Sequence, residues 1–144
     1  MVTLATIRNS SWQAIYNLLQ TGDYAISTDQ IYSAMNDGLV SSKTLPIIVI
    51  GKPLVRITKK TLNLDGIKEA SVNFTIRIFH NTAKQAEVLA DEVSNSFLTG
   101  WRTLSGNGLK NMDFQDSDTD SYHEKSKKIH VQILNLEFTY GGVN

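Results

Sequence analysis

The residues best suited to metal chemistry form an acidic cluster late in the chain. Asp116, Asp118 and Asp120 alternate with serine and threonine, and alternating carboxylates can converge on a hard cation such as Ca²⁺. The calcium-loop pattern then fails, because Ser121 stands where the loop needs its turn glycine and Lys127 stands where it needs a bidentate glutamate. We therefore interpret the cluster as a solvated acidic loop without a metal ion.

The histidines and hydroxyl side chains give no clearer catalytic pattern. His80, His123 and His130 lie far apart without HxH or HxxxH spacing, so we expect ordinary surface histidines. The chain has no cysteine, which removes thiolate ligands and cysteine nucleophiles. GxSxG, SxxK, GxGxxG and Walker motifs are all missing from the sequence. We predict that the protein is not an enzyme and needs no cofactor; the alternative is a small metal-dependent enzyme using the acidic loop and His123.

Charge is distributed unevenly although the whole chain is neutral. Residues 51–70 carry five basic and two acidic side chains, a net +3, and residues 113–124 carry five acidic side chains and no Lys or Arg, a net −5. Two solvated loops would explain this, but complementary patches on neighbouring subunits would explain it too, because such patches steer association and fix register. The predicted contact residues, at interfaces between subunits or with a tube of another protein, are Arg56, Lys59, Lys60, Asp116, Asp118 and Asp120.

The hydrophobic pattern predicts an α+β domain with a mostly antiparallel sheet and two main helices packed on one side. Apolar residues recur at helical spacing from about Asn9 to Leu19, with Ser10 or Ser11 as cap, and again over 83–98. Strict alternation predicts a strand over 72–79, and a second long strand is predicted over 129–140 with a break at Asn135. Shorter strands are expected over 45–51, over 54–61 and around Leu109, Met112 and Phe114, with a hairpin turn at 63–66. We expect one domain over residues 1–144 with a polar insert at about 105–128.

Composition excludes several classes of protein. Fourteen basic residues balance fourteen acidic ones, whereas domains that grip nucleic acid over their whole surface are usually basic. The lysines of residues 51–70 have no interleaved aromatic side chains, so stacking on single strands is not indicated. We expect no membrane span and no signal peptide, because no apolar run approaches the ~18 residues that a span needs.

The order of elements resembles that of the tail-terminator and head–tail joining (minor tail) proteins of long-tailed, siphovirus-like phages. The likeness lies in a strand with an aromatic end, a polar corner and a helix over residues 72–90, together with the first helix, the run 45–51 and the closing strand 131–140. It covers nearly the whole chain, but nothing aligns over 105–128.

The resemblance implies a structural protein of the virion, located at the head-proximal end of the tail and assembled in the host cytoplasm. Such proteins form a ring, typically of six copies, that caps the tail tube, ends its polymerisation and offers a surface for the head connector. The implied partners are other copies of the chain, the tail tube protein and the head connector or stopper protein, with DNA only as cargo passing through the channel. The alternative within the same group is a head–tail adaptor or stopper protein of the connector.

Overall fold

The computed structural model describes residues 3–22, 30–33, 43–60, 67–115, 119–124 and 126–141, and for residues 59, 60, 67, 68, 119, 120 and 122 it describes the backbone only. Within these residues the chain forms three helices and seven strands. Their order is α1 (Leu4–Gln20), β1 (Ile31–Ser33), β2 (Ile47–Ile50), β3 (Leu54–Lys60), β4 (Ile67–His80), α2 (Ala83–Thr99), α3 (Trp101–Gly106), β5 (Leu109–Gln115), β6 (Thr119–Glu124) and β7 (Lys127–Gly141).

Two long antiparallel strands, β4 and β7, form the centre of the sheet. They pair from Glu69 opposite Gly141 to His80 opposite His130. On the outer side of β4, β2 and β3 follow each other end to end, and β1 pairs with β2 in parallel. On the outer side of β7, β5 and β6 also follow each other end to end. The central pair is therefore flanked on each side by a strand in two pieces.

The main hydrophobic core lies between the helices and one face of this sheet. The even-numbered residues of β4 from Val72 to Ile78 face it, as do those of β7 from Leu134 to Tyr140. Leu89, Val93 and Phe97 of α2 pack onto the same face, because these positions recur at helical spacing and form one apolar stripe. The predicted α+β architecture is confirmed.

The two long helices begin at threonine caps. In α2 the Thr82 hydroxyl accepts a hydrogen bond of 3.2 Å from the backbone N–H of Gln85, as the capping-box pattern predicts. The prediction for α1 was wrong at its start, because the helix begins five residues earlier, where the Thr3 hydroxyl accepts from the N–H of Thr6 at 3.2 Å. Ser11 is consequently not a cap but a buried residue inside the helix.

A second, smaller apolar cluster lies on the opposite face of the sheet, at the end where β4 finishes. Its buried members are Ile47, Val49, Phe79, Ile129 and Val131. The long strand predicted over 129–140 is confirmed as β7, which pairs continuously with β4 through the predicted break at Asn135. Ile129 and Val131 are buried in this second cluster, whereas the later apolar residues of β7 are buried in the main core. The alternation changes phase because the two clusters lie on opposite faces of the sheet.

The segment predicted as a polar insert contains regular structure. The strand expected around Leu109 is present as β5, and it carries an irregular register between Lys110 and Asp113, where Asn111 has φ 52°. Residues Thr119–Glu124 are strand β6 rather than a loop, and they pair with β7. An edge strand needs no alternating apolar pattern because it can be solvated on its faces. The predicted hairpin turn at 63–66 lies outside the described residues.

Candidate functional site

The predicted basic residues lie on β3, at the outer side of β4. Arg56 is opposite Ser71, and its side chain is exposed. The backbone of Lys59 pairs with Glu69 and that of Lys60 with Ile67, with irregular register between them. The Glu69 carboxylate accepts a hydrogen bond of 3.0 Å from the Thr58 hydroxyl. The three basic residues thus follow one strand toward the start of β4.

Of the predicted acidic residues only Asp120 is described, and it lies at the opposite side of the sheet. Asp116 and Asp118 fall outside the described residues, whereas the backbone of Asp120 belongs to β6 and pairs with Val131. An extended strand over Thr119–Glu124 does not give the turn that a calcium loop requires. In the described part of the chain, no group of three or more His, Asp or Glu side chains is arranged to hold a metal ion.

Register shows that Lys59 and Asp120 are far apart in one chain. Lys59 is opposite Glu69 of β4, and Asp120 is opposite Val131, whose other neighbour is Phe79 of β4. Glu69 and Phe79 are ten residues apart, which corresponds to about 33 Å along an extended strand. Long side chains do not span that distance, so Lys59 and Asp120 do not pair within one subunit.

Two of the three histidines are cross-strand neighbours, although no spacing in the sequence indicates it. His80 and His130 are directly opposite each other across β4 and β7, and His123 lies exposed on β6. His80 Nδ1 accepts a hydrogen bond of 2.8 Å from the backbone N–H of Asn81. Burial lowers the pKa of His80 below its ordinary value of 6.5, which favours a neutral imidazole with its proton on Nε2.

Between the charged segments, the face of the sheet that carries no helices (the helix-free face) is polar. Ser71 donates a hydrogen bond of 2.9 Å to a Glu137 carboxylate oxygen, and Thr75 donates one of 3.2 Å to Asn135 Oδ1. These contacts join β4 to β7 directly, side chain to side chain. A serine bonded to a carboxylate without an imidazole between them is a cross-strand contact rather than an activated nucleophile.

A cleft that the sequence did not predict lies between α1 and the segment that joins β2 to β3. It has a volume of about 360 Å³ and is lined by Arg8, Asn9, Trp12, Ser33, Ile50, Lys52 and Pro53. These residues come from three separate parts of the chain, so no local spacing could have revealed them. The Trp12 ring is stacked on Tyr16, with ring centroids 4.8 Å apart and an interplanar angle of 14°.

Comparisons with known proteins found similarity among solved structures only. No protein-family model and no curated protein matches the chain. A chain from the virion of a native gene transfer agent (GTA) particle is similar at a TM-score of 0.38 and 12% sequence identity, over 94% of this chain and 95% of that chain. The proposals below rest on the residues of the present chain.

Among the described residues, no helix is long and apolar enough to cross a membrane.

Proposed function

We propose that the protein is a structural component of a phage virion that forms a ring at the head-proximal end of the tail. In this role it is a tail terminator: it caps the tail tube, ends tube polymerisation and provides the surface to which the head connector or stopper protein attaches. Its partners are other copies of itself, six in the ring, and the tail tube protein. It has no catalytic role and needs no cofactor.

The separation of Lys59 from Asp120 carries this proposal. Lys59 of β3 and Asp120 of β6 are held about 33 Å apart along β4. Opposite charges that do not meet within a chain are available to meet between copies. A contact between two different surfaces of identical subunits is heterologous, and repetition of such a contact generates a ring when the rotation closes.

Charge balance is compatible with a channel through which DNA passes. Non-specific DNA binding depends on neutralising phosphates with Lys and Arg. The chain has equal numbers of basic and acidic residues, and its helix-free face carries Glu137 and Asp113 opposite each other. A neutral subunit therefore provides little overall attraction that would hold DNA.

The mass of the purified protein in solution tests this function. We expect light scattering over a concentration series to show a discrete ring-sized oligomer, formed by the chain alone or when tail tube protein is added. A chain that remains a monomer in the presence of tube protein would contradict the terminator role. Binding to isolated portal rings instead of tail tubes would identify the alternative, a head–tail adaptor or stopper.

The contact residues are tested by charge reversal on β3. We expect Lys59→Glu with Lys60→Glu to weaken assembly and tube binding, because like charges would then face the acidic segment of the neighbour. Lys84→Glu, an exposed lysine of α2, is the control for the loss of a surface cation. Unchanged assembly and unchanged tube binding in the double variant would exclude these lysines from the interface.

A further inference from the structure

A second cleft, the α2 cleft, lies beside the first half of helix α2. It has a volume of about 280 Å³ and is lined by Pro46, His80, Lys84, Gln85, Val88, Leu89 and Glu92. Val88 is 50% exposed although its side chain is apolar, whereas Leu89 beside it is buried in the main core. The α2 cleft therefore presents an apolar side chain to solvent between polar ones.

Helix geometry explains the shape of the α2 cleft. Lys84, Val88 and Glu92 follow one another at intervals of four residues, so they form one ridge along the surface of α2. Gln85 and Leu89 belong to the next ridge, and both ridges line the cleft. The groove between two such ridges is the place where a ridge of another helix packs in the commonest class of helix contact.

The ridge carries opposite charges at equal distances from its apolar centre. Lys84 lies four residues before Val88 and Glu92 lies four residues after it, which is about 6 Å in each direction along a helix. Side chains that meet on one helix are three or four residues apart, so Lys84 and Glu92 do not pair within α2. In chain direction the ridge is basic, apolar and acidic, and the same ridge in the opposite direction is its electrostatic complement.

We propose that two copies of the chain associate through the α2 cleft, with their α2 helices antiparallel about a two-fold axis near Val88. The ridge of each copy packs into the groove of the other, at a crossing angle of about 50° for this class of contact. Lys84 of one copy then meets Glu92 of the other, and symmetry repeats this contact. Val88 of each copy is covered by apolar surface of the opposite cleft.

Charge selects a second copy in this orientation as the occupant. An antiparallel pair brings opposite charges together at both ends of the ridge, whereas a parallel pair brings like charges together at both ends. Burial lowers the pKa of His80 below 6.5, so its imidazole adds little charge to the cleft at neutral pH. The first turn of α2 contains no acidic residue, so the partial positive charge of this helix end also favours the carboxylate of Glu92 from the second copy.

This inference goes beyond the proposed ring and does not depend on it. A two-fold contact uses the same surface on both copies, whereas a ring is generated by contacts between two different surfaces. A ring whose copies also make the two-fold contact pairs with a second ring and doubles its mass. Lys84→Glu removes only the two-fold contact, so ring formation and tube binding, for which this variant is the control, should persist.

Charge reversal on the full-length chain tests the two-fold contact. Lys84→Glu gives a ridge with two acidic ends and Glu92→Lys gives one with two basic ends, so each variant repels a copy of itself. We expect each to weaken this self-association by more than about tenfold, measured by analytical ultracentrifugation over a concentration series. An equimolar mixture should recover association through pairs of unlike variants. A chain with both substitutions should recover it alone, because its ridge is self-complementary again.

Glu87→Lys and Arg102→Glu are the matched controls. Both residues are exposed, and Glu87 lies about 100° around α2 from Val88, whereas Arg102 belongs to α3. Both variants should associate like the wild type. Circular dichroism verifies that every variant is folded. Failure of either the mixture or the doubly substituted chain to recover association would overturn the contact, even if each single variant is a monomer.

The remaining outcomes separate this inference from the proposed ring. A six-copy ring that neither substitution changes overturns the two-fold contact and leaves the ring. A dimer that both substitutions dissociate, and that tube protein does not convert into a ring, supports the two-fold contact and overturns the ring. Loss of tube binding with intact self-association in both variants would mean that the tube protein occupies the α2 cleft, which also overturns the inference. A wild-type chain that is monomeric throughout overturns both.

Discussion

Phe74 of β4 and Phe138 of β7 meet edge to face in the middle of the main core. Their ring centroids are 6.0 Å apart with an interplanar angle of 82°, and each side chain is only 1% exposed. They are diagonal neighbours, because Phe74 is opposite Leu136 and Phe138 is opposite Val72. The edge-to-face geometry places the positive edge of one ring against the negative face of the other.

Truncation of this pair should strongly destabilise the fold. We expect Phe138→Ala to lower the free energy of unfolding by about 3–5 kcal/mol, because it removes buried area and leaves a cavity. A double-mutant cycle with Phe74→Leu and Phe138→Leu should give a coupling energy of about 0.5–1.5 kcal/mol by urea denaturation. A coupling near zero would mean that only the buried area of the two rings matters.

The elements that this pair joins could be predicted from the sequence. Strand β4 alternates strictly, and α2 combines a capping threonine with an apolar stripe, so local pattern and tertiary packing agree. Strand β7 was harder, because its two halves bury opposite faces. Its alternation changes phase between Ile133 and Leu134, and the second apolar cluster explains this change.

The candidate contact surfaces were predictable only in part. A run of carboxylates is visible in the sequence, but Arg8 and Lys52 are 44 residues apart and meet at one cleft only through packing of α1 against the sheet. Neither residue has a periodic or motif signal that marks it. The position of each charged residue along the strand direction depends on strand register. Composition and residue spacing do not determine that register.

Ser11 of α1 provides a test of an unsatisfied polar group. Its side chain is completely buried, and its hydroxyl has no hydrogen-bond partner in the described part of the chain. Because leaving a buried donor unsatisfied costs about 1–3 kcal/mol, we expect Ser11→Ala to raise the free energy of unfolding by about 1 kcal/mol or more.

The matched control is Ser94→Ala on α2. The Ser94 hydroxyl donates a hydrogen bond of 2.7 Å to the Ala90 carbonyl, so its removal should not give a comparable gain. Equilibrium denaturation of both variants makes the comparison. A destabilised Ser11→Ala protein would indicate that this hydroxyl does have a partner.

Gly100 connects α2 to α3 where there is no room for a side chain. A Cβ at this position would lie 2.5 Å from Leu18 Cδ1 and 2.7 Å from the Ser96 carbonyl oxygen. The backbone oxygen cannot rotate away as a flexible side chain could, so we expect Gly100→Ala to lower the free energy of unfolding by about 1–3 kcal/mol.

Gly106 at the end of α3 gives the corresponding control. A Cβ at Gly106 meets nothing within 4 Å, and alanine loses less conformational entropy on folding than glycine. We expect Gly106→Ala to be neutral or slightly stabilising, by up to about 1 kcal/mol. Thermal unfolding of the two variants tests the contrast, and equal losses in both would contradict a steric cause at Gly100.

His80 should make the stability of the fold depend on pH. Burial lowers its pKa below 6.5, so in mildly acidic solution the unfolded chain binds a proton at this residue more readily than the folded chain does. The free energy of unfolding therefore decreases as the pH falls from 6.5 through the lowered pKa, and the contribution of the neutral imidazole is fully present above 6.5.

The variant His80→Asn separates this titration from the local hydrogen bond. Asn Oδ1 is able to replace Nδ1 as acceptor of the Asn81 N–H, but it does not titrate, so we expect a flatter dependence of unfolding free energy on pH between about 5 and 7. His123→Asn, at an exposed position on β6, is the control for the same substitution at another histidine. Urea denaturation at a series of pH values measures all three proteins. The same slope in His80→Asn as in the wild type would assign the acid sensitivity to other groups.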